Sequence, residues 1–306
     1  MTYQEVEEAR KIYLKRIKTQ ILVTVIIIVV ASIALFVNTG SATQGFLYCL
    51  LIAFMVAMFS FILCILLNSK ISTAYSKAYK AFFVEQNLRK VFSDLHYDHS
   101  TGIPPSVLSS TGMINTGDRY TANDLVKGKY KKVNFAQSDV HIETRHTDKD
   151  GNTQYVTIFR GRFMIFDFPK QFTFRLALVG KRFPAFRKPG RNKTNGRKME
   201  TLSTESGEFN KLLKTYAEDG FEAFYILDPA LIADIEDLTT HYKRRILFCF
   251  FDNYLIIGIH DGKDSFEPPT AFKSIDESKE NAKVGNDIKM ITKFVDELSL
   301  DRKLFK

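Results

Sequence analysis

Two stretches near the start of this chain run further without a charge than the helices of soluble proteins do. Residues 21–37 are apolar except for Thr24 and Ser32, and residues 46–67 are interrupted only by Tyr48 and Ser60. As helices rising 1.5 Å per residue, these runs would measure about 26 and 33 Å, close to the roughly 30 Å hydrocarbon thickness of a bilayer. Each run fits one crossing. A pair of buried core helices is the weaker reading, because soluble helices keep a polar face. The segment between the runs, residues 38–45, is uncharged and holds Gly40 and Gly45, which predicts a tight re-entry loop and a helical hairpin. A cleaved signal peptide is not expected: the first run is long for a signal core, and a second run follows at once.

Basic residues orient the hairpin. Arg10, Lys11, Lys15, Arg16 and Lys18 precede the first run, Lys70, Lys77, Lys80, Arg89 and Lys90 follow the second, and the loop between has none. Lys and Arg are retained on the cytoplasmic side, so both termini are expected there, in a cell-membrane protein with two spans. The net charge of +9 needs no nucleic acid to explain it, because cytoplasmic leaflets are anionic. Cys49, Cys64 and Cys249 are scattered and suggest neither a disulfide framework nor a metal site.

Beyond the membrane runs, Ile71, Tyr75, Ala78, Tyr79, Phe82 and Phe83 recur at helical spacing, with Lys77 and Lys80 on the other side. A stalk helix over residues 68–95 is expected, then a loop over residues 106–122. Alternating residues on either side of Asp148-Lys149-Asp150-Gly151-Asn152 predict a β-hairpin over residues 140–159. Residues 163–168, 172–178 and 222–227 read as further strands. Residues 245–251 and 254–259 read as a strand pair turning at Asp252-Asn253. Asp228-Pro229 opens a helix with Leu231, Ile235 and Leu238 on one face. The C-terminal helix buries Val284, Ile288, Ile291, Val295 and Leu298, and Ser274 with Glu277 offers a capping box. The order gives an α+β class: an N-terminal transmembrane helical hairpin, then a mainly antiparallel β-sheet packed with helices on one side. The expected division is a cytoplasmic N-terminal helix (1–20), the hairpin (21–67), the stalk (68–95) and a cytoplasmic α+β domain (96–306).

Several of these segments together resemble an uncharacterised prokaryotic family, a domain of unknown function on membrane-anchored proteins. The resemblance runs through Asp124, Gly128 and Phe135-Ala136-Gln137-Ser138-Asp139-Val140, then Ile158-Phe159-Arg160-Gly161-Arg162-Phe163. It continues with Glu205-Ser206-Gly207-Glu208-Phe209, with Phe221-Glu222-Ala223-Phe224-Tyr225-Ile226-Leu227-Asp228-Pro229, and with Phe266-Glu267-Pro268. It implies two spans followed by this domain. It brings no activity and no functional residue.

The chemistry-bearing candidates are few. Asp94, His96, Asp98 and His99 are ligand types that suit zinc but lack a ligand spacing, and a solvated stretch is the better reading. Asp148, Asp150 and Gly151 resemble the opening of a calcium loop, but Phe159 stands where its bidentate acid belongs, so a hairpin turn is favoured. His141, His146, His241 and His260 are isolated, and Ser206 lacks the glycines of a nucleophile elbow. No metal, cofactor or catalytic residue is expected. The densest charge cluster is Lys181, Arg182, Arg187, Lys188, Arg191, Lys193, Arg197 and Lys198, with Phe183, Pro184 and Phe186 interleaved. A solvated loop is the plain reading; contact with anionic lipid head groups is the functional one, ahead of nucleic acid. The expected function is a membrane-tethered, non-catalytic binding or scaffold module for a protein partner or lipid head groups. A membrane-anchored enzyme, perhaps a hydrolase with a non-contiguous site, and a structural subunit of a membrane complex are the alternatives.

Overall fold

The computed structural model describes residues 1–39, 42–149, 151–192 and 196–300, without the side chains of residues 35–39, 42–47, 49, 61, 64–67, 69, 169 and 170. The chain forms two compact units. One is Met1–Gln86 with Glu267–Ala282, and the other is Asn87–Phe266 with the residues from Lys283 onward.

The first unit is built on α1 (Tyr3–Thr39) and α2 (Ala42–Tyr79), which pack along each other. Gln20 hydrogen-bonds Asn68, and Thr24 hydrogen-bonds Ser60, so the helices run antiparallel. Side-chain pairs of this kind hold helices together where the surroundings offer no water. Tyr3–Ala34 is long and apolar enough to cross a membrane, with a mean hydropathy of 2.3 over a wholly unburied window. Among the described residues it is the one such helix; in α2 the apolar helix Leu50–Ser60 is shorter. The expected loop narrows to residues 40 and 41, outside the described residues, because 38–39 still belong to α1 and 42–45 already to α2.

The helix of α2 continues as a π-helical turn, Lys80–Glu85. Tyr75, Tyr79 and Phe83 are buried there, as their spacing predicts. Glu267–Ala282 closes over them. Tyr75 Oη donates to the Pro269 carbonyl at 3.0 Å, and Tyr79 Oη to Glu280 Oε2 at 2.5 Å. Arg10 Nη1 donates to the carbonyls of Ala271 and Lys273 at 2.7 and 3.1 Å. Lys80 departs from the expected solvated side. It is buried, with Nζ 2.6 Å from Glu267 Oε1, and the ion pair makes its burial tolerable.

The second unit opens with α3 (Gln86–Val91) and then turns into strand β1 (Ser93–Asp98). The stalk helix therefore ends earlier than expected, and the Asp94–His99 cluster lies on and just after an edge strand paired with β2. Next come α4 (Pro105–Ser110), β2 (Arg119–Tyr130), β3 (Val133–Thr147), β4 (Thr153–Gly180) and β5 (Glu200–Leu202). The remaining elements are α5 (Gly207–Leu212), β6 (Leu213–Ala217), α6 (Gly220–Ile226), α7 (Pro229–His241), β7 (Ile246–Ile259) and α8 (Glu277–Glu297). The seven strands form one antiparallel sheet in the order β1-β2-β3-β4-β6-β5, with β7 also on β4.

The α+β class, the 140–159 hairpin and the helix opened by Asp228 all appear; Asp228 Oδ1 accepts from the Leu231 amide at 2.8 Å. Several expectations are corrected. Residues 106–122 are not all loop, since α4 runs to Ser110 and β2 starts at Arg119. Residues 222–227 are not a strand: 222–226 lie in α6 and Leu227 ends it, because Asp219 Oδ1 accepts from the Glu222 amide at 3.1 Å and starts a helix. Residues 245–259 contain no turn. Asp252, at φ +55°, pairs with Phe172 inside the single strand β7, between two register shifts whose extra residues lie on β4. Likewise the runs 163–168 and 172–178 are parts of the one long strand β4. At α8, Asp276 accepts from the Lys279 amide at 3.1 Å and takes the capping role assigned to Ser274.

The sheet is covered on both faces, not one. On one face Val140, Ile142, Phe159, Phe163 and Ile256 pack with Leu108 of α4 and with Phe183. On the other, Phe166 meets Phe294 of α8 at a ring-centroid distance of 6.4 Å, and Val284, Ile288, Ile291 and Val295 are buried as their spacing predicts. Each such large apolar side chain contributes about 1.5–3 kcal/mol when fully buried. Gly161 sits where strands crowd: at φ +153°, a Cβ there would lie 2.0 Å from the Ile259 carbonyl oxygen.

Candidate functional site

The basic segment 181–198 leaves β4 after Gly180. Lys181, Arg182, Arg187, Lys188, Arg191, Arg197 and Lys198 are all exposed, while Lys193 lies outside the described residues. The interleaved aromatics do not share that exposure. Phe183 is buried, and Phe186 stacks on Tyr216 of β6 at 5.0 Å. They serve the core rather than a ligand, because rings this close to the sheet gain more by leaving water. Glu218 fixes the segment in place. Its Oε1 accepts from Arg175 Nε at 2.7 Å and Nη2 at 2.5 Å, and its Oε2 from the Arg175 amide and Asn192 Nδ2, each at 3.0 Å. Burial alone would raise the Glu218 pKa, but these donors outweigh it and hold the carboxyl below its ordinary value. Arg197 Nη1 reaches Asp219 Oδ2, the cap of α6, at 2.7 Å.

Beside this anchor point, α6 and α7 enclose a cleft of about 670 Å3. Phe224, Leu227 and Ile232 form its apolar wall, and Glu205 and Glu236 stand among its lining residues. Phe221, Phe224 and Tyr225 sit on one side of α6, 83%, 47% and 73% exposed. Ser206 serves as a helix cap here. Its Oγ accepts from the Phe209 amide at 3.2 Å as the cap of α5 and donates to Glu236 Oε1 at 2.6 Å. Residues 200–240 carry ten acidic and two basic side chains, a net charge of −8 within a chain of +9. The crowding shows at Asp234, whose pKa is raised by burial and then by the neighbouring charges of Asp237 and Asp228. That acidic run was readable in the sequence and is easily passed over beside the denser basic one.

The acids that do converge were not the expected ones. Asp98 accepts from Ser100 and Thr101 in a local turn, which together hold its pKa near 2. Asp148 accepts from the Asn152 amide at 2.8 Å as a hairpin turn, and Asp150 lies outside the described residues. His141 Nε2 contacts Thr157 Oγ1 at 2.8 Å, and His260 Nδ1 accepts from the Arg160 amide at 3.1 Å.

Instead, a bulge in β2 turns Asp124, at φ +55°, toward Asp139 of β3 and Asp264, with carboxylate oxygens of the three within 4.8 Å of one another. Oxygen ligands of this kind suit Ca2+ or Mg2+. Here, however, protein groups already serve them. Tyr97 Oη donates to Asp124 Oδ1 at 2.5 Å, and the Ser265 amide and hydroxyl donate to Asp139 at 2.7 and 3.0 Å. Arg162 Nε stands 3.9 Å from Asp139 Oδ1, while Nη2 of the same guanidinium is 2.6 Å from Asp287 Oδ1 of α8. Burial drives the Asp139 pKa up to about 8, against the pull of Arg162 and Ser265 and helped by Asp264 and Asp124. The cluster acts as a polar lock between sheet and C-terminal helix. The sequence signal for it was a charged residue at an inward position of a strand, Asp139 two residues beyond the equally buried Gln137.

Residues 157–300 match a family described as a protein of unknown function, DUF3137. The match includes the resemblance segments from Ile158 to Pro268, and leaves those at Asp124, Gly128 and 135–140 outside it. Among curated proteins none matches this chain. A crystal structure of the mycobacterial trehalose monomycolate transport factor A, TtfA, is similar over 73% of this chain and 95% of its own, at 9% identity and a TM-score of 0.36. A likeness that slight carries no argument about this chain.

Proposed function

We propose that this chain is a membrane-tethered interaction module: a two-span hairpin with both termini on the cytoplasmic side, holding the sheet domain near the inner leaflet. The observation that carries the reading is the apolar helix Tyr3–Ala34, whose window of mean hydropathy 2.3 has none of its residues buried. About twenty such residues left in water would cost far more than any domain's net stability, and a bilayer removes that cost. The second run, residues 46–67, would lie antiparallel beside it along α2. The lysines and arginines at both flanks favour the cytoplasmic orientation. The seven exposed basic side chains of residues 181–198 suit anionic head groups, each worth about 1 kcal/mol close to such a surface. With Ser206 committed to a cap and to Glu236, the large cleft offers binding surface rather than a nucleophile.

Alkaline carbonate washing of membranes from expressing cells tests the anchor. The full chain is expected to stay in the pellet, as a spanning protein does. Release into the supernatant would mean that the apolar helices do not cross the bilayer.

A further inference from the structure

The molecule carries two surfaces of opposite sign. The basic segment suits an anionic bilayer. The α6–α7 cleft does not: its lining holds Glu205 and Glu236, and the surrounding residues 200–240 have a net charge of −8. An anionic leaflet would repel this face. Yet it exposes more aromatic surface than solubility favours, with Phe221 at 83% and Tyr225 at 73%.

We infer that the cleft between α6 and α7 is a docking site for a basic amphipathic segment of a partner protein. This deepens the interaction-module reading and rests on it. Charge complementarity selects the occupant. An incoming Lys or Arg meets Glu205 and Glu236 in the lining, within a stretch whose net charge is −8. Apolar side chains on the other face of the segment have the wall of Phe224, Leu227 and Ile232 to fill. At about 670 Å3 the cleft is within the range of preformed binding sites and takes a few large side chains. Phe221, one turn before Phe224, and Tyr225, one turn after Phe221, stand exposed on the same helix as aromatic anchors, the residue type that most often dominates binding energy.

The test uses the full chain in nanodiscs of neutral phosphatidylcholine. The probe is a fluorescent synthetic helix of Leu and Lys, with Leu at every third and fourth position, and the control is the same helix with Glu in place of Lys. The wild type is expected to bind the Lys helix, more weakly as salt rises, and not the Glu helix. Glu205→Lys with Phe221→Ser, both at exposed positions, is expected to weaken binding about 10-fold or more at an unchanged melting temperature. Phe221→Ser with Tyr225→Ser serves as a second variant that leaves every charge in place, and is expected to weaken it too. Equal binding by wild type and both variants overturns the proposal, as does equal binding of the Glu helix. Self-association abolished by the aromatic variant would assign the face to a second copy. Loss of anionic-vesicle binding in that variant, with peptide binding kept, would assign it to the bilayer. Either result overturns the proposal. None of these outcomes depends on the membrane anchor, so a failure here is distinguishable from a failure of the tether.

Discussion

Glu218→Ala is expected to destabilise the sheet domain by about 3–5 kcal/mol, the cost of removing one partner from a buried charge pair. The Glu218 side chain is fully buried and the Arg175 side chain is 11% exposed, so the guanidinium left behind cannot recover its hydration without local opening. Three further contacts disappear with the carboxylate: those from the Arg175 amide, from Asn192 and from the second guanidinium nitrogen. The loss of the Asn192 contact also removes one tie of the basic segment, which keeps Phe186 on Tyr216 and Arg197 on Asp219. The variant should therefore show two effects in the intact chain: a lower melting temperature, and faster proteolysis within residues 181–198. The pH dependence has a definite sign. A carboxyl held below its ordinary pKa stabilises the fold above that value and ceases to do so as pH falls through the folded pKa. The gap between wild type and Glu218→Gln should thus narrow on acidification below about pH 4. A gap that stays constant down to pH 3 would mean that Glu218 is not ionised in the fold.

Asp139 works in the opposite sense. Its pKa is raised to about 8 from the ordinary 3.8, so its contribution to stability is full below about pH 4 and is lost as pH rises toward 8. A shift of that size corresponds to ~6 kcal/mol at most, and relaxation around the site will reduce it. Arg162 does not need the Asp139 charge, because Asp287 already neutralises it at 2.6 Å. Asp139→Asn keeps an acceptor for the Ser265 amide and removes the ionisation. The variant is expected to match the wild type near pH 5 and to exceed its melting temperature at pH 8. The other groups facing Asp139 (Asp124, Asp264, Arg160 and Arg162) are common to both proteins, so their titration largely cancels in the difference. Equal destabilisation by Asp139→Asn at both pH values would show instead an ionised Asp139 paired with Arg162.

Much of this architecture is legible in the sequence, for reasons that differ by element. The hairpin over residues 140–159, the Asp228 cap and α8 rest on local chemistry: alternation, a turn, a side chain accepting a nearby amide. Such signals survive folding unchanged. The errors arose where long-range pairing overrides local preference. Asp252-Asn253 has turn chemistry, yet β4 runs alongside on both sides of it, takes up the register shifts with its own extra residues, and draws the chain into one strand. Residues 222–227 are rich in aromatic and apolar residues that suit a strand, but the cap at Asp219 and the absence of a pairing partner among the described strands make a helix. The same logic applies to the sites. The basic segment is contiguous and visible; its aromatics prove to be core residues. The Asp124, Asp139 and Asp264 cluster joins positions up to 140 residues apart through a bulge and two strands, and no local pattern announces it. The acidic surround of the cleft was visible as composition, but not as a cleft, since that requires α6 and α7 to be placed side by side.

The account's central claim is a hairpin anchor whose flanks and domain share the cytoplasmic side. Single cysteines at Ser41 and at Ser203, on a background with Cys49, Cys64 and Cys249 changed to Ala, test it most directly. In intact cells, a membrane-impermeant thiol reagent is expected to label the cysteine at Ser41 and to reach the one at Ser203 only after the cells are opened. Labelling at Ser203 but not at Ser41 in intact cells would place the domain on the outside and contradict the account.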